Sequence, residues 1–184
     1  MTNQRDIQKL LDKVEKITRE KKLDLSSGED LSIGIMNLIG IEEHLFFTAQ
    51  KTGKREYLDL LNEIRTMRVE LMKQIIKDYE GEVYCISKHL LAASMRLMEV
   101  GTKELKKGHD PEHRRRAWDL FEKAYKLYSL FWGINLKVVK IPNLPAQAGD
   151  KILMTNDKNQ KTKIASVFDK LGTLIQKALN CCRE

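Results

Sequence analysis

Glu42 and Arg68 are the two side chains whose types fit their surroundings least. At about 100° per residue, a helix sets Glu42 between Ile35, Ile39 and Phe46, with Leu38 and Ala49 beside them. The same counting places Arg68 among Leu61, Ile64, Met72 and Ile75. A charge where a core must close is usually paired or does chemistry. The pair suits an internal ion pair, or a polar pocket of the kind helical bundles use for ligands. A short turn joins the two carrier helices, so they should be antiparallel neighbours. Counted from that turn, Glu42 and Arg68 are offset by roughly 9 Å along the axis, long for a direct salt bridge. Glu43 points to another side, near Met36 and Gln50.

Cys85 and His89 are four apart and share a helix face, with Arg96 further along it. A thiolate and an imidazole at this spacing can bind a transition metal or act as nucleophile and base. They supply two ligands where three or four are needed; His44, Glu42 or Glu43 could complete the set from the neighbouring helix. The plainer alternative is a half-buried thiol beside a surface histidine. Ferritin-like metal bundles need Glu-x-x-His units on two helices, and the nearest approach, Asp110-Pro111-Glu112-His113, reads better as a helix start. There is no phosphate-cradling glycine loop. His113-Arg114-Arg115-Arg116 is the densest basic run. In a first helical turn it opposes the helix dipole, and an anion bound there would be held by backbone N–H groups and by Arg114, Arg115 and Arg116. The alternative is a solvated charged turn.

These residues need helices to carry them. Apolar residues recur at three and four over 3–22, through Ile7, Leu10, Leu11, Val14 and Ile17. Residues 25–30 read as a polar loop in which Ser27 or Asp30 caps the next helix. That helix, 31–51, is apolar nearly all round and belongs at the centre of a bundle; Gly53 ends it. A near-heptad seam from Tyr57 to Tyr79 marks a helix over 55–79, and Glu80-Gly81-Glu82 breaks it. The helix over 83–106 sets Ser87, Ser94 and Gly101 seven apart beside Leu90 and Leu97, a stripe that lets another helix approach closely. Asp110-Pro111-Glu112 then opens a helix to about 135, with an N-cap, a first-position proline and an acid in the first turn. Pro142, Pro145 and Gly149 forbid a long helix in 137–163, and a last amphipathic stripe runs from Ile164 to Leu179.

The fold class expected is therefore all-α: an antiparallel bundle of four core helices within residues 1–136, with additional N-terminal and C-terminal helices, a linker over 137–163, and the 164–184 helix packed on the bundle or on a partner. The totals agree. With 42% hydrophobic and 32% charged residues, the chain has the composition of a folded, helix-rich protein. The first residues lack an apolar signal region, and no stretch nears the roughly 18 uncharged apolar residues of a membrane span. Cys181 and Cys182 are adjacent and Cys85 stands alone, so neither a disulfide framework nor a CxxC metal motif can be built. A cytoplasmic location follows as the expectation.

Net charge is +7, and all of it lies late in the chain: residues 1–110 hold 19 basic and 19 acidic residues, residues 111–184 hold 14 and 7. A basic half invites an acidic partner, such as nucleic acid or an acidic protein. The function expected is a non-enzymatic binding module for such a partner. One alternative is a metal or small-molecule site around Glu42, Arg68, Cys85 and His89; another is a homodimer made through the C-terminal helix.

Overall fold

Asp110 starts a helix as its chemistry dictates: its side chain accepts the backbone N–H groups of Glu112 at 2.9 Å and His113 at 3.0 Å. Pro111 fills the first position, where a missing N–H costs nothing. At the other kind of end, Gly53 adopts φ +68° and its N–H returns to the Ala49 carbonyl at 2.9 Å, a left-handed stop that a side chain resists. Gly81 takes φ +76° just before another helix begins.

A computed structural model describes residues 12, 16, 25–76, 81–108 and 110–139. Its described residues include four helices: α1 (Leu25–Thr52), α2 (Glu56–Ile75), α3 (Glu82–Lys106) and α4 (Pro111–Asn135). There is no strand among the described residues. The expected helices over 3–22 and 164–180 and most of the linker lie outside them, apart from Asp12 and Lys16, both helical. Residues 77–80, where the second helix was expected to continue, also lie outside; α2 itself ends at Ile75, and Ile76 is extended (φ −90°, ψ 103°).

The helices run up and down. Ser87 meets Asn135, Ser94 meets Ala124 and Gly101 meets Phe121, so position along α3 rises as position along α4 falls. Gly28 against Trp132 and Ser32 against Tyr128 show the same sense for α1 and α4. The small-residue stripe does what its spacing implies. Ser94 Oγ donates to the Ala124 carbonyl at 2.9 Å, Asn135 Nδ2 donates to Ser87 Oγ at 3.0 Å, and a Cβ on Gly101 would stand 2.6 Å from the Phe121 ring.

Two expectations are corrected. Residues 25–30 are helical rather than a loop, so Ser27 and Asp30 lie inside α1 and cap nothing at residue 31. Tertiary contact explains this. Gly28 lets the first turn settle on Trp132, and Ser32 Oγ donates to the Glu29 carbonyl at 2.7 Å while meeting the Tyr128 hydroxyl at 2.7 Å. Nor is α1 the central helix, since Ile33, Ile41, Phe46 and Phe47 are exposed. Of the four described helices the deepest is α4, which buries Phe131, Trp132 and Ile134.

The core has a definite address. Ile35 and Met36 come from the first half of α1, Met72, Ile75 and Ile76 from the end of α2, Leu90 and Leu91 from the first half of α3, and Tyr128 to Leu136 from the end of α4. In an up-and-down arrangement those stretches share one end of the bundle. Towards the other end, Phe46, Leu58, Leu60, Leu105 and Trp118 are exposed.

Candidate functional site

Arg68 is only 2% exposed, yet it is fully engaged. Its Nε donates to Glu42 Oε1 at 2.7 Å and its Nη2 to Glu42 Oε2 at 3.0 Å, while Nη1 donates to the Tyr84 hydroxyl at 2.8 Å. One planar guanidinium thus ties α1, α2 and α3 together. The bidentate bond to Glu42 raises the Arg68 pKa further, against the opposing effect of burial. The expected axial offset disappears because the helices end at Thr52 and Glu56. Counted from those ends, the two residues differ in level by about two residues, or ~3 Å. With both carboxylate oxygens held by the guanidinium, the pair braces α1 against α2. Tyr84 was missed because a tyrosine at an apolar helix position reads as ordinary core.

The residues considered for a metal are dispersed. Cys85 and His89 are exposed on α3, and His44 is exposed on α1. Glu43 pairs with Arg96, which also donates to Glu99 at 2.6 Å. Among the described residues, no group of three or more His, Cys, Asp or Glu side chains is placed to hold a metal ion.

The α3–α4 turn carries a cluster that had not been anticipated. The Glu104 carboxylate is buried and receives Lys107 Nζ at 2.7 Å and faces His113 Nδ1 at 2.7 Å. The bonds from Lys107 and His113 hold its pKa below the ordinary carboxylate value. His113 Nε2 lies 3.4 Å from Asp110 Oδ2, so the imidazole sits between two carboxylates. The signal was present: Glu104 continues the Ser87–Ser94–Gly101 stripe by one turn, which places it on the packed face.

The three candidate anion-binding arginines prove unequal. Arg115 bonds Glu112 and Asp119, at 3.0 and 3.2 Å. Arg116 donates to Glu112 at 2.8 Å and lies 4.0 Å from Glu104. Arg115, then Arg116, pull the Glu112 pKa below its usual value. Arg114 is exposed and has no carboxylate partner among the described residues. One turn on, Trp118 stands 70% exposed. Arg114, Arg115 and Trp118 line a shallow surface depression with Leu105, Pro111 and Phe121. The exposed indole was missed because helical periodicity marks Trp118 only as lying off the apolar stripe.

No described helix is long and apolar enough to cross a membrane. No protein-family model, curated protein or solved structure matches the chain.

Proposed function

We propose that the chain is a non-enzymatic, cytoplasmic binding module for an acidic partner, and that the partner class is single-stranded nucleic acid. One observation carries the reading: an arginine with no carboxylate partner among the described residues and a largely exposed tryptophan stand four residues apart on one helix face. An exposed indole offers a stacking surface for any base, and a neighbouring guanidinium suits the phosphate beside it. The depression between Leu105, Pro111 and Phe121 gives the indole an apolar surround. Residues 111–135 carry five basic and three acidic side chains, so the helix that presents this face is itself net positive. Arg115 and Arg116 belong to the frame, because Glu112, Asp119 and Glu104 already compensate them.

The test is a fluorescence titration with mixed-sequence single-stranded RNA and DNA at several salt concentrations. Log affinity falls linearly with log salt, with a slope near −0.7 per phosphate neutralised. Arg114→Ser flattens the slope by about one such unit, whereas Arg115→Ser and Arg116→Ser change it less. Trp118→Ala weakens binding by about 1–3 kcal/mol, the worth of one stacked base, and leaves the slope alone. Absence of binding at low salt would reject the reading and leave the positive charge as a solubility feature.

A further inference from the structure

Beyond its first turns, where Gly28 meets Trp132 and Ser32 meets Tyr128, α1 borders an open groove. The floor of that groove is α3. Its near stretch, about 380 Å³, is lined by Ile33 and Met36 of α1, Met95 and Met98 of α3, and Phe121 and Tyr125 of α4. Met36 and Met95 also line the next stretch, about 540 Å³, which continues between α1 and α3 past His44 to Phe47. From Ile33 to Phe47 the α1 wall is about 21 Å long at 1.5 Å per residue. Methionine and aromatic side chains along a trough of helix length make a surface that takes an amphipathic helix. Glu43 and Glu99 flank Arg96 on its rim and leave that rim net negative.

We infer that this groove is the docking site of the chain's own 164–179 segment, bound as an amphipathic helix. Three observations favour this occupant. The stripe from Ile164 to Leu179 is about 22 Å long in a helix, matching the wall, whereas the stripe from Ile7 to Ile17 covers about 15 Å. Lys163, Lys170 and Lys177 recur seven apart beside the stripe, and Asp169 is the one acid within 163–180, so the segment complements an acidic rim. Residues 140–163 follow the last described residue and span up to about 80 Å when extended, ample to return from the end of α4. Such a tether holds the segment at an effective concentration in the millimolar range.

Methionine oxidation in the whole 184-residue chain tests this, because two methionines form an internal comparison. Met98 on the groove is 45% exposed and Met67, on α2 and outside the groove lining, is 49% exposed. If the groove stays open, dilute peroxide converts both to sulfoxide at similar rates. If the segment docks, Met98 reacts about tenfold more slowly than Met67, equally at about 1 and 100 μM protein, since the contact is intramolecular. Phe168→Asp with Leu171→Asp restores Met98 to within about twofold of Met67, with helix content by circular dichroism unchanged. Charge reversal at Lys163, Lys170 and Lys177 partly restores it without touching an apolar residue. Equal rates in the wild type overturn the inference. So does protection that fades on dilution, which would place a second copy in the groove, or protection that survives both sets of substitutions, which would assign another occupant.

Discussion

At the scale of single residues, the Glu42–Arg68–Tyr84 brace shows how much a charge in an apolar stripe can reveal. Removing Glu42 leaves a buried arginine with only a phenol to bond. Glu42→Ala is therefore expected to cost about 3–5 kcal/mol in urea denaturation. Glu43→Ala, which removes an exposed pair with Arg96, is expected to cost well under ~1 kcal/mol. Equal small losses would mean that the brace carries no load. The pair was legible because an acid and a base each interrupt an otherwise apolar face. Tyr84 was not, since a phenol suits a core on its own account. Glu104 escaped for a different reason: helical periodicity tells which face a residue occupies, but His113 reaches it only after the chain has turned. Because its folded pKa is depressed, Glu104 contributes stability that is present above its ordinary value near 4.5 and is lost as pH falls through the folded value. In thermal melts, Glu104→Gln should lower Tm at neutral pH, and its difference from wild type should shrink as pH drops below about 4.

At the scale of elements, glycines separate helix propensity from packing. Gly34 lies inside α1 with nothing within 4 Å of where its Cβ would stand. Gly34→Ala should therefore stabilise the protein by about 0.5–1 kcal/mol through propensity alone. Gly101→Ala gains the same propensity but drives a methyl to within 2.6 Å of the Phe121 ring. Overpacking of that kind costs about 1–3 kcal/mol, so the two substitutions should have opposite signs in the same denaturation assay. The helix stop at Gly53, the start at Asp110 and the close approach at Gly101 could all be read from residue types, because each depends on chemistry within a few positions. The start of α1 could not. Ser26-Ser27-Gly28 looks like a loop until Trp132, over a hundred residues later, supplies a surface for it.

At the scale of the whole molecule, four amphipathic patterns predict that helices pack but not at which level. Periodicity reports the apolar face; how far along that face a neighbour stays in touch depends on crossing geometry, which no local pattern encodes. Hence α1 looked central from its composition, and only Ile35, Met36 and Ala49 among its described apolar side chains are buried. Concentration of the core at one end predicts an uneven opening profile. In native-state hydrogen exchange, amides around Met72, Leu91 and Trp132 should exchange slowest, and those around Phe46, Leu60 and Leu105 markedly faster. Uniform protection along each helix would contradict this.

A bundle whose large apolar side chains are packed at one end can act as a lever. The helices α3 and α4 are each 25 residues, about 37 Å, from the packed end to the far turn. A rotation of about 5° within the packed end would carry the far turns by roughly 3 Å, with each helix remaining intact. Arg68 lies close to that fulcrum, holding α1, α2 and α3 at once. A tilt at one guanidinium, where it meets one carboxylate and one phenol, would thus be read out as a change in how far apart the far turns stand.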